Sequence, residues 1–515
     1  MALPILTIIT FTPLAGAFLL LFVPKTNEGL IKAVAFLANL IPLGIILFVW
    51  NRFDPSSASF QFVERAPWIP SLGVDYHLGV DGLGASLVLL TAIIAPVATA
   101  ASFGIHERIK PYMLLFLLLI TGIFGVFTAL NFFHFFLYWE IGLVPMFFLI
   151  KQWGAENRDY AAFKFFVFTL FGSIAMLLAF QVIFLATGTF DLVRLAELGR
   201  SGELGKLLTE FAAKIGIPWS TRTISLIGFL AVALAFTIKV PIWPFHTWLP
   251  DAHTQAPTPA SMVLAALLLK MGSYGFLRIA MPLFPETAKL IATPLAYFAL
   301  ASIIFGAFAA MAQRDLKRMI AYSSISHMGY CMLAVFAVAS INSANVEAKA
   351  AALGGSMLQM FNHGITAAAL FFMVGVIYDR KHTRDLSKFG GLRAIMPVYA
   401  GLMGISAFAS VGLPGLNGFV SEFLIFRGTF DIFRPLTILA MIGLVVTAIY
   451  YLRMLQQMFF GPLNPDCANL PDMTQREILI AAPLIALMFI IGIMPGPMLN
   501  LTNAVALQLI GVFQS

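Results

Sequence analysis

The stretch Lys239-Val-Pro-Ile-Trp-Pro-Phe-His-Thr-Trp-Leu-Pro250 ends an apolar run at a lysine and then sets three prolines close together. Proline removes a backbone donor and clashes with the preceding turn, so a helix cannot run through this segment unbroken. The run before it, 222–240, is long and apolar enough to lie in a membrane. A break at membrane depth is tolerated only where protein or water takes up the freed backbone groups. A second interruption reads Gly412-Leu-Pro-Gly-Leu-Asn-Gly-Phe-Val-Ser-Glu-Phe423. Paired Gly/Pro-interrupted spans in the two halves of a chain point to an internal repeat with a transport site at the breaks. The spacing agrees, with 99 residues from Glu140 to Lys239 and 95 from His327 to Glu422.

The composition around these breaks is that of a membrane protein. Of 515 residues, 60% are hydrophobic and 11% charged, where a soluble chain carries about 25% charged residues. The mean hydropathy is +0.92. Fifty Phe and twenty-three Met cannot share one water-soluble core, so lipid must be part of the solvent. About fourteen apolar runs reach spanning length: 3–23, 30–50, 81–103, 112–130, 132–151, 160–187, 222–240 with its continuation to 250, 257–283, 288–311, 315–338, 352–378, 395–434 with its interruption, 436–460 and 475–495. The expected fold is all-α and polytopic, with two inverted repeats of five helices, each holding one broken helix.

Met1–Val23 has no basic n-region and no small-residue cleavage site, and reads as a first span rather than a removable signal. Residues 51–80 alternate around Ser59–Glu64 and suggest a small hairpin. Residues 189–221 are mixed in charge and partly helical by expectation, and 496–515 read as a short amphipathic end-piece. Lys25, Lys32, Arg108, Lys110, Lys151, Arg158, Arg314, Lys317, Arg318, Arg380, Lys381, Arg384, Lys388 and Arg393 fall in loops after odd-numbered spans. The positive-inside rule puts those loops in the cytoplasm and both termini outside. The net charge of +7 is thus a matter of membrane orientation, and no basic stripe with interleaved aromatics suggests nucleic acid. Cys331 and Cys467 lie far apart and read as inert thiols, two being too few for an iron–sulfur cluster.

Five ionisable groups sit deep in apolar runs: Glu140, Lys239 at the first break, Lys270, His327, and Glu422 at the second break. A charge at the bilayer centre costs about 2.5–3.5 kcal/mol on insertion scales. Five such groups must face one another or water inside the bundle. Glu140 and Lys239 have opposite signs and can compensate, whereas Lys270 has no partner evident in the sequence. His327 is of the residue type most used to take and release protons, and Ser273, Ser323, Ser324 and Ser326 could hold water nearby. Structural ion pairs or polar glue between helices would explain any one of these groups, but not five, two of them beside helix breaks. His246 and His363 read as possible members of the same relay. His253 reads as a helix-end residue, and its spacing from His246 gives no zinc motif. Lys164 and Arg427, near span ends, read as snorkelling to the interface. There is no P-loop, no Rossmann turn and no Gly-x-Ser-x-Gly elbow. The energy for transport must then come from a partner.

Tyr138-Trp-Glu-Ile-Gly-Leu-Val-Pro145, the 239–253 stretch, Leu267-Leu-Leu-Lys-Met-Gly272, Arg314-Asp-Leu-Lys-Arg-Met-Ile-Ala-Tyr-Ser-Ser-Ile-Ser-His-Met-Gly329 and Leu413–Glu422 closely resemble the antiporter-like subunits of respiratory complex I. The resemblance covers nearly the whole chain. It is strongest to the M branch, the counterpart of mitochondrial subunit 4. The L and N branches typically carry Lys where this chain has Glu422, and L carries a long lateral helix after its core.

The resemblance implies helices 1–3 over 1–111, a first antiporter-like half over 112–287, a second over 288–460 and a C-terminal helix with tail over 461–515. It implies a switchable Glu140–Lys239 pair, Lys270 as central proton carrier, and His327 bridging to Glu422 as the terminal site. At ~4 Å and an effective dielectric of ~20, one ion pair is worth about 4 kcal/mol, enough to drive a proton step. It further implies no cofactor in this chain, with NAD, FMN, iron–sulfur clusters and quinone on partner subunits. The implied partners are the L and N subunits on either side, the peripheral redox arm indirectly, and the bilayer of a bacterial inner membrane with both termini periplasmic. Competing expectations are a sodium/proton antiporter subunit, a ferredoxin-dependent relative, and a purely structural subunit that seals the assembly.

Overall fold

A computed structural model describes residues 3–514. Two antiparallel helices, α1 (Ile5–Phe22) and α2 (Glu28–Trp50), open the chain. The hairpin expected within 51–80 is present as β1 (Gln61–Ile69) and β2 (Val74–Val80), antiparallel from Gln61↔Val80 to Ile69↔Val74. The Glu64 carboxylate accepts from the backbone of Leu6 (2.7 Å) and Thr7 (3.1 Å). It thereby caps α1, whose N-cap residue is Pro4 and supplies no side-chain cap.

There follow α3 (Gly82–Ala101), α4 (Ile109–Thr128), α5 (Phe132–Trp153) and α6 (Arg158–Thr187). Two short helices, α7 (Leu192–Arg200) and α8 (Glu203–Lys214), occupy the second long loop. The chain resumes with α9 (Thr221–Lys239) and, after a break, α10 (Trp248–Gln255). Then come α11 (Thr258–Leu283), α12 (Pro285–Met311), α13 (Leu316–Ala339) and α14 (Val346–Lys381). A short α15 (Pro397–Val411) is broken from α16 (Asn417–Ile432), and α17 (Arg434–Phe459), α18 (Gln475–Ile493) and α19 (Gly496–Gly511) complete the fold. Among the described residues, 13 helices are long and apolar enough to cross a membrane. The interrupted run expected at 395–434 is α15 and α16, and α15 is apolar but shorter than those thirteen. The tail helix α19 packs on α3 and α14, burying Met498, Leu501, Thr502, Val505, Ala506 and Ile510 at helical spacing.

The bundle has an inside and a lipid-facing rim. Helices α11, α13 and α14 are buried on all sides. Large apolar side chains such as Phe18, Leu37, Phe171, Leu230 and Leu479 stand exposed on the outer helices. In lipid such a face is solvated rather than sticky. The buried helices carry Lys270, His327 and His363, so the expensive groups are kept from lipid as the insertion cost demands.

Glycines set the closest approaches. A Cβ on Gly355 of α14 would meet Ile425 N at 2.7 Å and Ser421 O at 2.9 Å on α16. Overpacking of this kind costs roughly 1–3 kcal/mol. Gly355→Val is therefore expected to lower the thermal midpoint and the amount of assembled protein, which differential scanning of the purified complex would measure.

Lys317 departs from the sequence reading. Counted there as a loop residue, it lies buried in the first turn of α13 and donates to the Ala256 carbonyl at 2.5 Å. The carbonyl at the end of α10 has no helical partner of its own, which draws the ammonium inward.

Candidate functional site

Both breaks fall where the sequence places them, and protein groups satisfy the freed backbone. At the first, Trp248 Nε1 donates to Ile238 O (3.0 Å) and Trp243 N donates to Ser302 Oγ (2.8 Å). At the second, Gly412 ends α15 with φ +82° and Gly415 follows with φ +92°, a left-handed backbone that glycine adopts freely. Asn362 Nδ2 donates to Asn417 O (2.7 Å) at the start of α16. A Cβ placed on Gly412 would lie 3.2 Å from Glu422 Oε2, so the Glu422 carboxylate faces the break.

The five sequence-selected groups are all placed inside the bundle. Lys239, Lys270, His327 and Glu422 are buried, and Glu140 is half-buried. Lys239, the last residue of α9, makes no hydrogen bond, and its ammonium lies 5.0 Å from the centre of the Trp139 ring. It forms no salt bridge to Glu140, whose Oε1 is also buried without a partner. The pair is therefore not closed. Gly272 brings α11 against this end of α9: a Cβ there would meet Phe236 O at 2.7 Å and Val240 N at 2.9 Å.

Lys270 is 0% exposed and sits between two wide π-type turns of α11, Leu264–Leu268 and Phe276–Ala280. Such turns loosen the i→i−4 ladder and recur at functional sites. The first brings Ala265 O against Lys270 Nζ at 2.7 Å. The partner that the sequence did not reveal is His363 of α14, whose Nδ1 is 2.6 Å from Lys270 Nζ. Either nitrogen can hold the proton between them. The His363 ring is 5.8 Å from that of His327, centre to centre, and His327 Nδ1 is 2.9 Å from Glu422 Oε1. A cavity of about 10 Å³ between these groups has room for about one water. Lys270, His363, His327 and Glu422 thus form one file across α11, α14, α13 and α16.

A sequence profile of the family described as NADH:quinone oxidoreductase/Mrp antiporter, TM matches residues 129–449. The chain is 40% identical over 499 residues to the NADH-quinone oxidoreductase subunit M of Rhodobacter capsulatus, covering 96% of this chain and 93% of that one. This chain belongs to that family. Respiratory complex I from Thermus thermophilus, solved with bound NADH, holds a chain that matches with TM-score 0.84 at 27% identity over 99% of each. A chain of the Mrp complex from Dietzia matches with TM-score 0.82 at 21% identity over 100% of each, a likeness of fold.

In this complex I-type chain the other residues singled out in the sequence take the following places. His246 lies in the first break, half-buried, with Nδ1 unpartnered, and makes no hydrogen bond to the file. His253 is in the last turn of α10, as a helix-end residue, but it is fully buried and stacks on Phe371 (4.5 Å between ring centres). Lys164, in the first turns of the 158–187 helix, pairs with Asp251 at 2.7 Å. Arg427 pairs with Glu347 at 2.6 Å, with both side chains exposed. Ser323 and Ser324 donate to the Ile320 carbonyl, as helical hydroxyls commonly do, Ser326 donates to Ile303 O of α12, and Ser273 Oγ has no partner.

The polar groups that do surround Glu422 are others. Gln359 Nε2 donates to Glu422 Oε1 (3.3 Å), Ser421 Oγ donates to Gln359 Oε1 (2.5 Å), and Asn362 Nδ2 reaches Ser421 Oγ (3.1 Å). Gln359, Asn362, His363 and Thr366 recur at helical spacing in an otherwise apolar run. That polar stripe was a legible signal. Among the described residues no three His, Cys, Asp or Glu side chains gather as a metal site.

Proposed function

We propose that this membrane subunit of NADH:quinone oxidoreductase moves protons through Glu140, Lys239, Lys270, His363, His327 and Glu422. The supporting observation is the file of contacts from Lys270 to Glu422 inside an otherwise apolar bundle. Closing the Glu140–Lys239 pair stabilises the Lys239 ammonium by about 4 kcal/mol at ~4 Å and an effective dielectric of ~20. Opening it, as here, withdraws that support and favours passing the proton toward Lys270. From Lys270 the proton is taken by His363 Nδ1, crosses to His327 and reaches Glu422.

In this reading residues 112–287 and 288–460 are inverted halves with corresponding breaks. The termini are periplasmic in a bacterial inner membrane, and the L and N subunits flank the chain. NAD, FMN, iron–sulfur clusters and quinone belong to partner subunits, so the driving chemistry lies outside this chain. In the complex reconstituted into vesicles, Glu140→Gln and Lys239→Ala are each expected to abolish NADH-driven proton uptake, read by a pH-sensitive dye. Normal pumping by both variants would overturn the mechanism.

A further inference from the structure

Lys270, Tyr274 and Arg278 recur every four residues on one face of α11. At about 1.5 Å per residue, Arg278 stands roughly 12 Å along the helix from Lys270, toward the hairpin. Its side chain is 11% exposed and pairs with Asp81, itself 1% exposed, at 2.5 Å. The guanidinium lies between the rings of Phe60 (4.8 Å) and Tyr274 (5.3 Å). Arg278 Nε donates to the Tyr274 hydroxyl (3.3 Å), which donates to Phe127 O (3.4 Å). Asp81 closes β2 and caps α3, its Oδ1 accepting from Gly84 N (2.9 Å). Its Oδ2 is buried and accepts no hydrogen bond. Farther out, His77 and Arg65 both pair with Asp191 at 3.3 Å, and Arg65 also pairs with Asp75. Polar and charged groups therefore lie on the hairpin side of the central lysine, and one of them is an arginine.

The geometry points to Arg278 as a proton block that seals the hairpin side of Lys270, with Asp81 as the residue that positions it. This rests on Lys270 being a proton carrier. Arginine is not deprotonated in proteins, so it cannot hand a proton on. A fixed guanidinium also repels hydronium, as in pores that exclude protons. The rings of Phe60 and Tyr274 and the bond to the Tyr274 hydroxyl hold the cation in place, and the ion pair with Asp81 keeps it from moving outward. Lys270 is then closed on the hairpin side and left open along the file, between Lys239 and His363. Asp81 is the weak point. Without Arg278 its carboxylate is a buried titratable group beside Tyr274, able to take a proton from the hairpin side and pass it inward.

The test uses the assembled complex in sealed vesicles, with an imposed pH gradient and no NADH. Arg278→Gln is expected to speed the decay of the gradient several-fold, and the pair Arg278→Gln/Asp81→Asn, which removes the titratable group, to hold it as the unmodified complex does. Arg278→Lys keeps the ion pair with a group that can release its proton, and is expected to leak to a smaller extent; it decides the matter if Arg278→Gln fails to assemble. Gradients held unchanged by Arg278→Gln or, in its absence, by Arg278→Lys would overturn the block. So would an equal leak in the double variant, which would mark a packing defect. Adding Lys270→Met to the leaking variant should stop the leak, and persistence would show a route that bypasses Lys270. Normal NADH-driven pumping by Lys270→Met alone would instead overturn the proton-carrier reading.

Discussion

Lys270→Met is expected to abolish NADH-driven proton translocation while the complex remains assembled. Lys270 is fully buried with no carboxylate partner; its ammonium faces Ala265 O and His363 Nδ1. An apolar side chain of similar length fills the same space, and replacing a buried ion by a packed hydrophobic residue is often neutral or stabilising. The cost is the two groups left without their partner, about 1–3 kcal/mol each if unsatisfied. The function has no such slack. Lys270 is the group at hydrogen-bond distance from His363 Nδ1, and a thioether cannot carry a proton. Proton uptake by proteoliposomes, measured beside the amount of assembled complex, checks the result. Pumping that survived would favour a sealing role for the chain.

Glu422→Gln is expected to be nearly as severe. The carboxylate accepts from His327 Nδ1 and Gln359 Nε2, and a glutamine oxygen can accept both. Exchanging a charged acceptor for a neutral one weakens these bonds by roughly 1 kcal/mol each, so the fold should hold. The variant cannot take up a proton, and the file ends at His327. Translocation should fall to background with assembly intact. Glu422→Asp keeps the titratable group but stops short of His327 by one methylene, and should retain part of the activity. The ordering Glu, Asp, Gln in initial rates of proton uptake separates proton transfer from packing. Equal loss in Asp and Gln would indicate that position alone matters.

The spans, both breaks and the buried charges were legible in the sequence for local reasons. Bilayer thickness fixes the length of an apolar run, proline and glycine act on their own turn, and a charge in such a run is costly wherever it lies. The hairpin was legible from alternation. The bonds of Ser323 and Ser324 to carbonyls three and four residues back follow a rule just as local, whereas Ser326 bonds Ile303 O on another helix. Lys317 was misread because a basic residue near a span end is taken for a solvated one until its neighbours are known.

The pairing of these groups could not have been read in this way. Lys270 meets His363 93 residues along the chain, and His327 meets Glu422 95 residues along it. These meetings depend on which faces α11, α13, α14 and α16 turn to one another, and hence on glycines such as Gly355 that let backbones touch. The sequence alone established that charges must be buried inside a broken, many-helix bundle, because lipid forbids them elsewhere. Tertiary packing decided which charge meets which: it brought His363 against Lys270 and left His246 Nδ1 without a partner, set Lys239 over Trp139 instead of against Glu140, and paired Arg278 with Asp81. Proton transfer needs contact at hydrogen-bond distance, and only the packed bundle sets distances of that kind between helices remote in sequence.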